Sequence, residues 1–291
     1  MNVRKMTGKG YPINFKSLTR YGMGLILLAY TLITSFPFFW TAAISLRRSN
    51  EVLMAPYGLP NPPYFQNYVH IFTNPTLHYS RFILNSAFVT TAALVLTTIV
   101  TTMAAFAFAR ARYKYPMRDG LYALIFLSLM FPPQVTLLAT FQLLVQYKLY
   151  NTLLGLILVY SAMALPFNIY ILRAFFRQIP QELEDAALID GCTDRQIFWK
   201  VMFPIARPAI AATVVLNFIS FWNEFLYAVT YITKPELRTL PLAVMFFIGE
   251  AYLDYGMLAA SLVVTMLPVI ILYLILSELF VEGMTAGAVK G

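Results

Sequence analysis

Charge is scarce in this sequence. Asp, Glu, Lys and Arg make up 12% of its 291 residues, about half their share in an ordinary soluble domain, which leaves too little polar side chain to cover a water-facing globule of this length. Cysteine is scarcer still: the single Cys192 excludes an internal disulfide, and its polar neighbours have no metal-ligand spacing. His70 and His78 are the only histidines and stand in no carboxylate cluster, so the sequence offers no metal site. A phosphate-cradling Gly-x-x-x-x-Gly-Lys-Ser/Thr loop is missing too; Gly8-Lys9-Gly10 and Lys290-Gly291 lack its spacing. The chain is therefore expected to hydrolyse no nucleotide by itself and to need no cofactor of its own. No nucleophile stands near a base in a pattern that argues for covalent catalysis.

Apolar residues are what the chain has in quantity, at 59% of the total with a mean hydropathy of +0.68, which places it in membrane lipid. A net charge of +8 would suit nucleic acid only as a solvated basic patch on one face. Here the basic residues sit between apolar segments, so nucleic acid is not an expected partner. Runs of about 20 apolar residues, enough to cross a hydrocarbon core of about 30 Å as helix, fall near 22–46, 83–109, 120–144, 153–173, 209–231 and 258–280. They predict an all-α membrane protein with six transmembrane helices. The first run is too long for a signal-peptide core and lacks a small-residue cleavage site, so it is read as a span. Pro132 and Pro133 in the third run and Pro166 in the fourth are expected to kink or break their helices.

Orientation follows from the basic residues, which stay on the cytoplasmic side. With the N-terminus inside, 15 of the 21 Lys and Arg residues are cytoplasmic, and Arg47, Arg48, Arg81, Lys148, Lys234 and Arg238 are not. Both termini are then cytoplasmic: a segment over 1–21, a six-span domain over 22–280 and a tail over 281–291. The same map puts the connection after the fourth run, 180–204, on the cytoplasmic face.

That connection holds Glu182, Glu184, Asp185, Asp190, Asp194, Arg195 and Lys200 in an otherwise apolar chain. Pro180 suits a first helical turn. Good helix formers run over 181–190, and Gly191 follows where a left-handed cap would fall. Thr193 and Gln196 then fit a capping box. The pattern predicts a helix, a glycine turn and a second helix. Ile197, Phe198, Val201, Met202 and Ile205 form an apolar ridge on the second helix. The first helix is left acidic, with Ala186 and Ala187 small enough for another protein to approach its backbone.

Asp185-Ala186-Ala187, three residues, Gly191, nine residues, then Val201-Met202-Phe203-Pro204 resembles the EAA loop of permease subunits in binding-protein-dependent ABC importers. Pro37-Phe38-Phe39-Trp40, Ser45-Leu46-Arg47, Asn67-Tyr68, Asn85-Ser86, Phe131-Pro132-Pro133-Gln134, Phe221-Trp222-Asn223-Glu224-Phe225 and the ending Thr285 to Gly291 resemble sugar permeases of the smaller, maltose-type second subunit. The resemblance implies a type I importer permease in a bacterial or archaeal plasma membrane. Its partners would be a homologous larger permease, two ATPase subunits that bind ATP and Mg, and an external solute-binding protein. It implies that Glu184, Asp185, Ala186, Ala187, Gly191 and Pro204 couple to the ATPase. Asp185 replaces the usual glutamate, and Glu184 offers a second carboxylate for the same contact.

Glu224 is an ionisable group at membrane depth, costly there and therefore a functional candidate. It is read either as an interfacial carboxylate held by its neighbours or as part of a sugar path or gate, with Trp222 as a stacking surface beside Asn223 and Gln134. Gln142, Asn168 and Asn217 are further polar residues of the spans. Thr239, Leu240, Pro241 and Leu242 resemble the outer loop that contacts the docked binding protein. Two other readings stay open: a secondary sugar transporter, for which Glu224 would be the main coupling group, and a membrane-embedded transferase, which would need a carboxylate or histidine cluster.

Overall fold

The computed structural model describes residues 15–75, 77–110, 112, 116–247 and 254–286; of the expected segment 1–21 and tail 281–291, residues 1–14 and 287–291 lie outside these. Among the described residues the regular structure is helical, with no strand. Helix α1 (Phe15–Ser45) leads through α2 (Ser49–Met54) and α3 (Gln66–Thr73) to α4 (Tyr79–Ala109). Then come α5 (Arg118–Leu127), α6 (Leu137–Gln146) and α7 (Leu153–Phe176). Helices α8 (Glu182–Ile189), α9 (Asp194–Gln196) and α10 (Phe203–Ile205) fill the 180–204 connection, with a π-helical stretch, Ile197–Met202, between the last two. Helices α11 (Arg207–Trp222), α12 (Leu226–Tyr231), α13 (Leu240–Ala243) and α14 (Tyr255–Ala286) complete the order.

Among the described residues, four stretches are long and apolar enough to cross a membrane without a break: Gly22–Ser45 in α1, all of α4, all of α7, and Tyr255–Ile275 in α14. Two bent pairs raise the number to six if each is one crossing: Arg118–Met130 with Pro133–Gln146, at 103°, and Asp194–Ile205 with Arg207–Trp222, at 74°. The first bend falls at the expected prolines. Helix stops before Pro132 and restarts with Pro133 in its first turn, where the missing N–H would have no partner anyway. Pro166 does not break its helix; α7 continues through it. The predicted fifth span is itself interrupted between Trp222 and Leu226, where no proline announces a break.

Helix α4 packs most extensively along α7, and α11 lies between α4 and α14. One apolar cluster joins α4, α6, α7 and the α11–α12 region through Val89, Leu144, Leu156, Tyr160, Phe221 and Tyr231. A second binds the 180–204 connection to the ends of α4 and α7 through Phe106, Phe176, Ala187, Ile197, Phe198 and Met202. A third joins α3, α4, α11, α13 and α14 through Ile71, Phe82, Trp222, Leu240 and Ala260. The spanning stretch of α1, by contrast, is mostly exposed, burying only Ser45 at its end, and packs chiefly on α14.

Pairs of residues far apart in sequence fix the loops at the other end of the bundle. Asn67 donates to the carbonyls of Ser45 and Arg47, and the Tyr68 and Ser45 hydroxyls share a hydrogen bond of 2.7 Å. Asn85 donates to the Glu236 and Arg238 carbonyls, and the neighbouring Ser86 hydroxyl accepts from Leu240 N–H.

Candidate functional site

Two helix breaks meet beside α7. Glu224 lies between α11 and α12, and its carboxylate takes three donors. Oε1 accepts from Tyr227 N–H at 2.8 Å, and Oε2 accepts from Ala228 N–H at 3.0 Å and from the Tyr160 hydroxyl at 2.8 Å. The two amides belong to the first turn of α12, where N–H groups have no intrahelical partner, so Glu224 caps the restarted helix while Tyr160 anchors it to α7. The Tyr227 hydroxyl in turn donates to Pro133 O at 3.3 Å, and that of Tyr231 donates to Leu137 O at 3.0 Å, linking this break to the one in the third predicted span. Irregular backbone at membrane depth is tolerated where it faces protein or a water-filled cavity. A cavity of about 330 Å³ lies beside these breaks, and its walls include Tyr160, Phe167, Asn217, Ser220, Glu224 and Tyr227.

The sequence candidates around this cavity separate. Glu224 and Asn217 line it. Gln134 and Asn223 are exposed, the latter donating back to Ile219 O, while Asn168 is buried on α7. Trp222 is not a surface open to solute. It is buried, its ring stacks on Phe218, and its indole N–H donates to Thr265 O at 2.9 Å, which makes it packing between α11 and α14. Tyr160 was missed because a tyrosine inside an apolar run carries no local signal; only the pairing across the fold reveals it.

The 180–204 connection folds as a helix, a glycine turn and a second helical stretch. Gly191 takes φ +80°. Cys192 N–H bonds Ala187 O at 2.9 Å and Gly191 N–H bonds Leu188 O at 3.0 Å, the paired closure of a left-handed C-terminal cap. Thr193 and Gln196 form the reciprocal box at the next N-terminus. Beyond it the apolar ridge is only partly inward: Ile197, Phe198 and Met202 are buried, but Ile205 is exposed.

Helix α8 presents one face and hides the other. Asp185, Ala186 and Ile189 are exposed, Ile189 at 87%. Glu184 and Ala187 point inward. Glu184 is therefore not a spare carboxylate for an outside partner: it is 3% exposed and ion-paired with Arg110 at the end of α4. Burial pushes its carboxyl above the ordinary carboxylate range, with the Arg110 and Arg112 guanidiniums pulling the other way. Ala187 likewise belongs to this chain's own core. Pro204 sits in the first turn of α10, partly buried.

The candidates at 239–242 behave similarly. Thr239, Leu240 and Leu242 are buried and Pro241 is partly so; Leu240 is held through its N–H by Ser86. These side chains anchor the segment to α4 and α14, and the exposed surface nearby is instead Thr233, Lys234, Pro235 and Met245.

An all-helical bundle with membrane-length spans, broken helices lining a polar-edged cavity and a helix–glycine–helix connection at one end defines a multi-span membrane transport component. Residues 101–285 match the family described as binding-protein-dependent transport system inner membrane component, and the chain belongs to that family. It is 33% identical over 267 residues to the diacetylchitobiose uptake system permease protein NgcG of Streptomyces coelicolor, covering 91% of this chain and 87% of that one. It is 31% identical to the trehalose/maltose transport system permease protein MalG of Thermococcus litoralis, covering 92% and 95%. The sulfoquinovosyl glycerol transport system permease protein SmoH of Agrobacterium fabrum is 36% identical, covering 88% and 89%. In fold, the chain is similar to a subunit of a bacterial ABC transporter that imports the acidic polysaccharide alginate, with a TM-score of 0.79 at 22% identity, covering 92% and 98%.

Proposed function

We propose that this chain is the smaller permease subunit of an ATP-driven importer for sugar, an oligosaccharide in particular, and that it forms half of the translocation path. Its complement is a homologous larger permease, two ATPase subunits that bind ATP and Mg, and an external solute-binding protein. The termini and the 180–204 connection are cytoplasmic. The observation that carries this reading is the exposed Asp185–Ala186–Ile189 face of α8, fixed in direction by the left-handed cap at Gly191 in a chain of this family. Closure of the ATPase dimer displaces α8, and the spans convert that rigid-body motion into alternating access. The relatives' names, which include chitobiose, trehalose and maltose systems, support a saccharide as the cargo.

The path runs along the cavity between α7 and the two helix breaks. Tyr227, Asn217, Ser220 and the Glu224 carboxylate supply hydrogen-bonding edges for hydroxyl-rich solute, and Phe167 and Tyr160 supply apolar faces. The test is co-purification with its ATPase, followed by hydrolysis measured with the binding protein loaded from a panel of sugars. Stimulation by at least one saccharide is expected. Ionophore-sensitive uptake without ATP would favour a secondary transporter instead, and turnover of a substrate by the purified chain would favour a transferase.

A further inference from the structure

We infer that Arg110 is a positioning residue that fastens α8 to the C-terminal end of α4, so that displacement of α8 is delivered first to α4. Arg110 is the C-cap residue of α4 and is buried. Its Nε pairs with Glu184 of α8, its Nη1 donates to Ile179 O at 3.0 Å, and its Nη2 lies 3.8 Å from Met202 Sδ. One guanidinium thus holds the stretch leading into α8, α8 itself and the π-helical stretch beyond it. A rigid planar fork suits that task in a way a single ammonium does not. Two residues on, Arg112 Nη2 pairs with Asp194 Oδ1 at 2.9 Å. The chain leaving α4 therefore grips the connection on both sides of the Gly191 turn.

The packing of α8 makes the Arg110 contact decisive. Of its eight residues, α8 buries two, Glu184 and Ala187. Ala187 contributes a methyl to the apolar cluster, and apolar contact is non-directional, so by itself it lets a short helix slide. Separating the buried ion pair would leave an uncompensated charge, which resists displacement. From α4 the contact continues along α7, which carries Tyr160 and its hydrogen bond to Glu224 at the cavity. The segment that faces the ATPase and the helix break that lines the path are thereby joined by packed and hydrogen-bonded groups.

This inference rests on α8 being the ATPase-docking element, and the two are tested apart. In a Cys192→Ser chain, Arg110→Ala, Glu184→Ala, the pair Arg110→Cys with Glu184→Cys, and Ala186→Asp are each assembled with the ATPase and the sugar-loaded binding protein. ATPase retention is measured by pull-down, and stimulated hydrolysis is measured per retained ATPase. Arg110→Ala and Glu184→Ala are expected to keep the ATPase but to lose stimulation by about fivefold or more, the low end of ordinary coupling between sites. A short bis-methanethiosulfonate bridge across the two cysteines is expected to restore it, and gives the same reading if a single variant accumulates poorly. Normal stimulation in the single variants overturns the inference, as does a bridge that restores nothing. Loss of the ATPase from Arg110→Ala also overturns it, by placing the pair in the docking surface. Ala186→Asp reports on docking alone: if it keeps both the ATPase and stimulation, the docking reading and the inference fall together.

Discussion

The Tyr160 hydroxyl on α7 reaches Glu224 Oε2 at 2.8 Å, tying an unbroken helix to the gap between α11 and α12. Because the same carboxylate caps α12, its removal should cost more than removal of the hydroxyl alone. Loss of a capping acceptor costs about 1 kcal/mol, and the lost Tyr160 bond adds about the same. Glu224→Ala should therefore lower the thermal unfolding temperature of the purified assembly more than Tyr160→Phe does. Equal unfolding temperatures would remove the capping role. Wild-type uptake by Glu224→Ala at limiting sugar would remove Glu224 from the path.

Gly191 stands at φ +80° with open space where a Cβ would go, so a substitution meets backbone strain and no collision. Asn tolerates the left-handed region and Val does not. Gly191→Asn should retain most of the ATPase in a pull-down, and Gly191→Val, strained by about 1 kcal/mol or more, should misdirect α8 and lose it. Matching retention by the two variants would contradict a role for the turn.

Neighbouring alanines on α8 should fail differently. Ala186 is exposed, so Ala186→Asp should give normal membrane abundance with weakened ATPase binding. Ala187 is buried in the cluster with Phe176, Ile197 and Met202, and an unpaired carboxylate there costs several kcal/mol, so Ala187→Asp should reduce abundance itself. Immunoblots of membranes beside pull-downs distinguish the two; normal abundance of Ala187→Asp would contradict its inward placement.

Asn85 holds two carbonyls of the 236–240 segment, those of Glu236 and Arg238, at 3.0 and 2.9 Å. Asn85→Ala should free that segment at a cost of about 1–3 kcal/mol. Weaker stimulation by the loaded binding protein should accompany an unchanged ATPase pull-down. Unchanged stimulation would show that the segment's shape does not depend on this tie.

The topology reading is checked by single cysteines in a Cys192→Ser chain. Positions Asn61, Tyr150 and Glu236 should react with an impermeant thiol reagent on intact cells, and Asp194 should be shielded. Labelling of Asp194 from outside would reverse the map and end the case for ATPase coupling.

Much of the fold was legible because its signals are local. A run of about 20 apolar residues is self-sufficient evidence of a span, a proline pair removes donors wherever it sits, and the Gly191 turn and Thr193 box are written in four or five consecutive residues. The break after Trp222 was not legible in this way. It depends on Glu224 capping a new helix, and that cap is held by Tyr160, 64 residues away. The motif pairs were visible as words but not as partners. Ser45 to Arg47 with Asn67-Tyr68, and Asn85-Ser86 with the 236–240 segment, meet only after the chain has turned back on itself.

The sequence by itself determined that this is a membrane-embedded, all-helical chain with a charged helix–glycine–helix connection, because composition, hydropathy and capping preferences act over short distances. Tertiary structure alone decided which side of each element faces out. Hydrophobic spacing on α8 does not distinguish Ala186 from Ala187, or Asp185 from Glu184; the Arg110 guanidinium at the end of α4 does, by drawing one carboxylate inward and leaving the other exposed. The same holds for Trp222 and Leu240, whose burial depends on α14 and α4 arriving from distant parts of the chain.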